Sequence, residues 1–318
     1  MKAIQINAYG HNDQVKINFN AEQPKLNPGQ VLIKVHAAGV NPVDWKVREG
    51  FLKDFKPAKF PLTLGMDFSG EIVELGEGVK DFKIGDEVFG QNNYLNGESG
   101  TFSEFMTASP KIFSHKPTKL SHVEAGGLAM VGVSAWQALV DTMHLSKNHK
   151  ILIHGGSGGI GSCAIQIAKY LGATVATTVS GANQEFVKNL GADLIINYKT
   201  QDFTNLIHDY DFVLDTLGGE VYLKSFEVLK KGGLIISMLE NPRQDLMKKY
   251  EVQALIEYTE PTAKRLLALA ILADKGALQV PISKIFSLDQ TKEALEYSEH
   301  GHPVGRVVVS MQKSNESK

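Results

Sequence analysis

The feature that most constrains this chain is a glycine-rich loop between a short apolar run and a helical pattern. Residues 151–154 are an apolar run, and residues 158–171 carry apolar side chains at helical spacing. A G-x-G-x-x-G motif lies between a strand and a helix, so it permits a tight turn, a close approach of backbone to pyrophosphate, and packing of the helix on the strand. The sequence therefore predicts a dinucleotide site at this helix N-terminus, formed by Gly156, Ser157, Gly158, Gly159, Ile160 and Gly161.

The alternation of strand and helix continues beyond the loop. Strand patterns occur at 173–179, 194–197, 211–215 and 233–238, and helix patterns at 183–190 and 221–229. Such alternation is typical of a parallel sheet covered on both faces. We therefore expect an α/β fold with a doubly wound parallel sheet of the Rossmann type. A further strand is predicted at 250–258 and a helix at 262–273.

The first 120 residues have a different pattern. Short β-type runs at 31–37, 68–75, 87–90 and 101–108 are separated by Gly, Pro, Asn and Asp, which predicts a mainly antiparallel β domain. The chain returns to β-type sequence at 305–309, so the last forty or so residues are expected to rejoin this domain. The predicted organisation is a β domain of residues 1–122 and 281–318, with a nucleotide-binding domain of residues 123–280.

The residues after the second strand of the α/β domain bear on the choice of cofactor. Enzymes that use NAD usually place an acidic residue there to bind the ribose 2′-hydroxyl. This chain has Thr-Thr-Val-Ser-Gly-Ala-Asn at 177–183 and no acid. Hydroxyl and amide groups can donate hydrogen bonds to a 2′-phosphate, which a carboxylate would repel. NADP(H) is therefore favoured, with Ser180 and Asn183 as phosphate contacts. No arginine is present, and Lys188 is expected to be a solvated helix residue.

Composition and charge exclude several classes of protein. The 318 residues carry 33 Lys+Arg and 35 Asp+Glu, a net charge of −2, so no overall field draws the chain to nucleic acid or an anionic membrane. The single cysteine, Cys163, cannot form an internal disulfide or a thiolate cluster and suits a reducing compartment. The longest strongly apolar stretch, 266–273, falls short of the roughly 20 residues that span a bilayer. We expect a cytoplasmic protein with neither a membrane nor a nucleic-acid partner.

Six sequence blocks, in order, carry a resemblance to a known family. They are GVNPVD at 39–44, GMDFSG at 65–70, GDEVFG at 85–90, HGGSGGIG at 154–161, LGAD at 190–193 and GHPVGRVV at 301–308. Over nearly its full length the chain resembles a zinc-independent medium-chain dehydrogenase/reductase of the quinone oxidoreductase (zeta-crystallin-like) type. The resemblance implies a GroES-like β domain beside the Rossmann domain, with catalysis in the cleft between them.

The resemblance also implies that no zinc is used. The zinc alcohol dehydrogenases of the wider superfamily hold their catalytic metal with Cys and His. Here Asn41 stands at the position of their first Cys, and Met66 and Asp67 replace their His-Glu pair. An amide and a thioether do not replace a thiolate and an imidazole in a tetrahedral zinc site. His300 and His302, in a segment with Gly and Pro, are interpreted as loop residues, and no flavin is expected.

Further cofactor contacts follow from the same resemblance. Tyr198 matches a position near the adenosine phosphate in NADPH-dependent relatives, and Ser134 matches one close to the nicotinamide or pyrophosphate. The carboxamide end would be held by backbone groups of two segments, represented by Met238 and Leu239 and by Gly305 and Arg306.

Without a metal, the expected chemistry is hydride delivery from reduced nicotinamide to an electrophilic carbon of a small quinone or α,β-unsaturated carbonyl substrate. Charge then develops on the carbonyl oxygen and needs a preplaced donor. Candidates are Asn41 for orientation, Asp44 to hold that loop, Lys46 where many relatives have an aromatic residue, and Tyr94, which can close over substrate. The proton donor stays unassigned.

Two other functions remain open at this point. An enoyl-thioester reductase would need a basic entry path for a phosphopantetheine carrier, and no such run stands out. An NADPH-binding regulatory or structural protein with little turnover would share the same Rossmann core. A homodimer is a further expectation, because a strand at 250–258 can pair across a two-fold axis and remove an exposed edge.

Overall fold

The computed structural model describes residues 1–92, 94 and 98–311. Its contacts divide the chain into two compact units. Unit 1 comprises 1–130, 261–276 and 280–318, and unit 2 comprises 131–260 and 277–279. The strands are β1 Ala3–Ile6, β2 Lys16–Asn18, β3 Val31–Val40, β4 Leu62–Thr63, β5 Asp67–Leu75, β6 Glu87–Gln91, β7 Phe105–Ala108, β8 Phe113–His115, β9 Lys150–His154, β10 Thr174–Val179, β11 Leu194–Asn197, β12 Tyr210–Asp215, β13 Leu229–Ser237, β14 Gln253–Ile256, β15 Ile282–Ser287 and β16 Arg306–Ser310. The α-helices are α1 Pro42–Arg48, α2 His122–Trp136, α3 Gly159–Tyr170, α4 Gln184–Asn189, α5 Gly219–Ser225, α6 Gln244–Tyr250, α7 Ala263–Asp274 and α8 Thr291–His300.

Unit 1 is built around β3. In its described part, β15, β16, β3, β5, β6 and β8 follow one another across one sheet, and β7 also pairs with β3. All these pairs are antiparallel except β15 with β16. The last strand lies antiparallel to β3, with Val308 opposite Gly39, so the end of the chain returns to the N-terminal β domain as predicted. Both faces of β3 are largely buried, which accounts for its almost continuous apolar sequence.

Unit 2 contains the predicted parallel sheet. Its described strands run in the order β11, β10, β9, β12, β13, β14, and every neighbouring pair is parallel. The chain therefore begins in the middle of the sheet at β9, moves to one side, and crosses to the other at β12. The expected combination of a Rossmann-type sheet and a mainly antiparallel β domain is confirmed. Because the strands are parallel, the residues after β9, β10, β11, β12 and β13 all lie at one edge of the sheet.

Two segments differ from the sequence expectations. The strand predicted at 250–258 is only β14, because α6 runs to Tyr250 and Glu251 ends it in a left-handed conformation with φ of 55°. Tyr258, the last residue of the predicted strand, lies beyond β14 and is 73% exposed. The segment 261–276, which contains α7, groups with unit 1, whereas the predicted boundary placed it in the nucleotide-binding domain.

One helical stretch of the described residues, His122–Thr142, is long and apolar enough to cross a membrane by length and composition. It consists of α2 and the π-helical turn Gln137–Thr142. The sequence analysis considered only the strongly apolar run 266–273 and did not single out this longer stretch. Its most apolar window is 72% buried inside the protein, as in the core helix of a folded domain.

Candidate cofactor and active site

The glycine loop joins β9 to α3 in unit 2, as its sequence predicts. A Cβ on Gly156 would lie 2.1 Å from the Thr177 hydroxyl, and one on Gly161 would lie 2.3 Å from the Gly155 carbonyl oxygen. These two positions therefore admit only glycine. A Cβ on Gly158 would meet the Gly155 carbonyl oxygen at 3.3 Å and nothing else within 4 Å, so the loop presents bare backbone there. Gly158 is also the N-cap of α3, which leaves the first N–H groups of the helix without a capping side chain.

The predicted 2′-phosphate contacts lie beside this loop. The Asn183 amide donates a hydrogen bond to the Ser157 hydroxyl at 3.1 Å, which ties the segment after β10 to the glycine loop. The Tyr198 backbone N–H donates to the Val179 carbonyl at 3.2 Å, so the residues that follow β10 and β11 are adjacent. Ser180, Asn183 and Tyr198 thus share the edge of the sheet that carries the glycine loop. Residues 180–183 of this edge include no aspartate or glutamate.

A cavity of about 660 Å³ opens at the same edge. Its lining residues come from β9 and β10, the turn after β11, and α5; they are His154, Thr178, Tyr198, Lys199, Thr200, Gln201, Asp202, Phe203, Leu217, Glu220, Val221 and Lys224. The ring of His154 lies between the hydroxyls of Thr178, at 3.0 Å, and Ser225, at 2.9 Å. Its complete burial lowers the pKa of His154 to about 3, so the ring is neutral at physiological pH. The sequence analysis did not identify Lys199.

The remaining predicted cofactor residues occupy different environments. Ser134 is 1% exposed and its hydroxyl is within hydrogen-bond distance of the Thr259 hydroxyl. Met238 and Leu239 follow the carboxyl end of β13, and the Leu239 N–H donates to the Ser237 hydroxyl at 3.1 Å. Gly305 has a φ of 78° and lies against the Pro281 carbonyl.

In unit 1, Asn41, Asp67 and Arg306 form a buried polar network. Arg306 Nη2 donates to Asn41 Oδ1 at 2.9 Å and to Asp67 Oδ2 at 3.1 Å, and Asn41 Nδ2 also donates to Asp67 Oδ2 at 3.1 Å. Arg306 Nε donates to the Gly127 carbonyl at 2.6 Å. A Cβ on Gly39 would lie 2.8 Å from the guanidinium and 2.9 Å from the carboxylate, so glycine makes room for the pair. Asn41 and Asp67 are fully buried.

Asp44 and Tyr94 extend this network at the start of α1. Asn41 is the N-cap of that helix, and its backbone N–H donates to Asp44 Oδ2 at 2.8 Å. The Tyr94 hydroxyl donates to Asp44 Oδ1 at 3.4 Å. Burial raises the pKa of Asp44 to about 7 and holds the pKa of Tyr94 well above its usual value. Tyr94, proposed from the sequence as a loop aromatic that closes over substrate, is only 2% exposed and acts here as a buried hydrogen-bond donor.

The structure thus brings together three of the four predicted catalytic residues and separates the fourth. Asn41, Asp44 and Tyr94 lie in one network, whereas Lys46 is half-buried and its Nζ lies 5.6 Å from the Trp45 ring centroid. The sequence analysis missed the pairing of Asp67 with the Arg306 side chain. The sequence did contain a signal: Asp67 immediately precedes Phe68 at the start of a strand, and Arg306 precedes three valines, and a charge that is buried needs a partner.

The network does not suit zinc. The atoms at the positions of metal ligands in zinc-containing relatives are an amide, a thioether and a carboxylate, and the amide and the carboxylate already bind the Arg306 guanidinium. A guanidinium here makes a second cation electrostatically unfavourable, and the donor set lacks the thiolate and imidazole that zinc prefers. Among residues 1–92, 94 and 98–311, no group of three or more His, Cys, Asp and Glu side chains is arranged to hold a metal ion.

Comparisons with known proteins agree with this architecture. Residues 27–118 match a family model described as the alcohol dehydrogenase GroES-like domain, and residues 190–309 match one described as zinc-binding dehydrogenase. The second matched segment contains neither Asn41 nor Asp67.

Individual relatives cover almost the whole chain. The structure of a quinone oxidoreductase from Coxiella burnetii is 36% identical, covers 98% of this chain and 99% of its own, and has a TM-score of 0.91. The chloroplast envelope quinone oxidoreductase homolog of Arabidopsis thaliana is 32% identical over 97% of this chain and 98% of its own. The chloroplastic NADPH-dependent alkenal/one oxidoreductase of the same plant is 33% identical over 97% of this chain and 79% of its own. The chain therefore belongs to the medium-chain dehydrogenase/reductase family, within its quinone oxidoreductase group, and is an oxidoreductase.

Proposed function

We propose that this protein reduces quinones or α,β-unsaturated carbonyl compounds by hydride transfer from NADPH, without a metal ion. The observation that carries the proposal is the edge of the parallel sheet in unit 2. There a glycine loop with bare backbone at Gly158 adjoins a carboxylate-free segment at 180–183. The names of the quinone and alkenal/one oxidoreductases among the relatives support the substrate class.

The residues of unit 2 fit this cofactor. The uncapped N–H groups at the start of α3 suit a pyrophosphate, because the helix dipole and unpaired donors both favour negative charge. Ser180, Asn183 and Tyr198 would face the adenosine ribose and its 2′-phosphate. Met238 and Leu239 follow β13, whose carboxyl end lies at the same edge of the sheet. When bound, reduced nicotinamide supplies the hydride.

In unit 1 we assign different roles to the four predicted catalytic residues. Asn41, Asp44 and Tyr94 lie in one buried hydrogen-bonded network, and we assign them as positioning residues that hold the start of α1. Lys46 lies on the same helix and is only half-buried. Its ammonium would stabilise the negative charge that develops on a substrate carbonyl oxygen.

The test is consumption of NADPH at 340 nm with a short quinone, a short enone, a 2-alkenal and an enoyl-CoA. Turnover on the quinone or the enone, unchanged by a chelator and poor with NADH, is the expected result. Lys46→Met should lower kcat strongly and change the KM for NADPH little. Turnover on enoyl-CoA alone would support the thioester reductase instead. Cofactor binding without turnover on any substrate would support a regulatory protein.

Assembly and location are separate proposals. We retain the homodimer, formed by pairing of β14 with its symmetry mate, because β14 is the edge strand of the described sheet in unit 2. A sedimentation mass near that of one 34.8 kDa chain would contradict it. We also retain a cytoplasmic location, to be tested by fractionation, although one relative is named for the chloroplast envelope.

A further inference from the structure

The proposed 2′-phosphate site has hydroxyl and amide donors but, in sequence, no nearby cation. The segment after β10 contains no arginine or lysine before Lys188. Lys188 lies on α4 with 68% of its side chain exposed, and its Nζ is 3.9 Å from Glu185. A dianionic phosphate is usually bound with the help of a positive charge, so the cation must come from elsewhere in the fold.

The fold brings Lys199 to this place. Strands β10 and β11 are parallel with Val179 opposite Asn197, so the residues after each strand leave the sheet side by side. Ser180 follows the first strand, and Tyr198 and Lys199 follow the second. A Cβ on Gly181 would lie 3.0 Å from Asn197 Nδ2, which shows how closely the two segments approach.

The backbone around Lys199 is held in a hydrogen-bonded turn. The Lys199 N–H donates to Asn197 Oδ1 at 3.2 Å, and the Thr200 and Gln201 N–H groups donate to the Asn197 carbonyl at 3.0 and 2.9 Å. The base of the side chain is therefore fixed in the lining of the 660 Å³ cavity, and the residue itself is exposed.

The other charged residues of this cavity are one lysine and two acids. Lys224 lies on α5, and its Nζ is 3.3 Å from Glu220 and 3.5 Å from Asp202. Both acids therefore interact with Lys224, Glu220 from α5 itself and Asp202 from the segment after β11. Among the residues that the structure describes, the Lys199 ammonium pairs with no carboxylate. Of the two lysines that line the cavity, Lys199 is therefore the one whose ammonium can bind an anionic ligand.

We propose that Lys199 binds the 2′-phosphate of NADPH and is a specificity-determining residue for this cofactor. The inference rests on the proposed function for the identity of the cofactor. It adds the cation that the sequence around Ser180 lacks, and it explains how this edge can prefer NADPH without an arginine.

The experiment measures equilibrium binding of NADPH, NADH, 2′,5′-ADP and 5′-AMP by calorimetry, so it does not depend on turnover. Lys199→Met should weaken the binding of NADPH and 2′,5′-ADP by about 10- to 100-fold, the usual contribution of a charge-assisted hydrogen bond. The affinities for NADH and 5′-AMP should change by less than about twofold. Lys199→Arg should restore much of the loss, and Lys188→Met is the matched control that should leave all four affinities unchanged.

The results separate this proposal from the proposed function. Unchanged affinity of Lys199→Met for 2′,5′-ADP would overturn the role of Lys199 while leaving NADPH reduction intact. An equal loss for all four nucleotides would also overturn it, since the effect would then be on the fold. A wild-type protein that binds 2′,5′-ADP no better than 5′-AMP would overturn both. Tight 2′,5′-ADP binding that depends on Lys199, in a protein without turnover, would support Lys199 and contradict the enzymatic proposal.

Discussion

Replacing Arg306 by methionine should destabilise unit 1 strongly, because it leaves the fully buried Asp67 without its cation. Arg306 is 4% exposed, and its guanidinium also donates to Asn41 and to the Gly127 carbonyl. Breaking a buried ion pair from one side typically costs about 3–5 kcal/mol. With about 2–4 °C per kcal/mol for a domain of this size, the melting temperature should fall by roughly 10 °C.

The loss should depend on pH in a defined direction. Burial raises the pKa of Asp67 to about 6 even though Arg306 opposes that rise. Without Arg306 the pKa rises further, and the folded state then holds a proton that the unfolded state, with a pKa near its ordinary value, has released. Stability of Arg306→Met should therefore fall as the pH rises from 6 to 8, by up to about 1.4 kcal/mol per pH unit.

Denaturant unfolding followed by the fluorescence of Trp45 is the assay. The chain has two tryptophans, so a Trp136→Phe background makes Trp45 the reporter of unit 1. Arg48→Met is the matched control, because Arg48 is equally buried but its partners Glu49 and Glu299 have side chains 11% and 19% exposed and can be hydrated. The double variant Asp67→Asn with Arg306→Met should recover most of the loss. A loss for Arg306→Met that is smaller than that for Arg48→Met, or independent of pH, would refute the reasoning.

Three further predictions concern unit 2. Gly161→Ala should lose nucleotide binding and about 1–3 kcal/mol of stability, because its Cβ would meet the Gly155 carbonyl oxygen at 2.3 Å. Gly158→Ala should have the melting temperature of the wild type but bind NADPH more weakly. Ser180→Asp should shift kcat/KM from NADPH towards NADH, and an unchanged ratio would contradict the assignment of Ser180. Burial lowers the pKa of His154 to about 3, so as the pH falls below about 6.5 the unfolded state binds a proton that the folded state does not, and the free energy of unfolding decreases from there down to pH 3. Between pH 7 and pH 5 the wild type should lose about 2 kcal/mol more of its free energy of unfolding than His154→Gln, measured by denaturant unfolding at the two pH values.

Local sequence predicted the elements of unit 2 closely, because each signal lies within a few residues. The strand predicted at 194–197 is β11, and the helix predicted to begin at Gly158 has that residue as its N-cap. Helix α6 was not predicted, and the strand at 250–258 was predicted too long, because the sequence of 250–258 cannot by itself show that Glu251 adopts a left-handed conformation. The burial of Tyr94 was not predicted either, because its hydrogen-bond partner Asp44 is distant in the chain.

The sequence by itself determined the parallel sheet, the phosphate loop and the absence of an acid after β10, since each of these depends on residue type and short spacing. The tertiary structure alone decided which charges meet. Arg306 reaches Asn41 across 265 positions and Asp67 across 239, through the antiparallel pairing of β16 with β3. Lys199 comes beside Ser180 only because β10 and β11 are parallel neighbours. A buried charge requires a partner, but only the pairing of distant strands selects which residue that partner is.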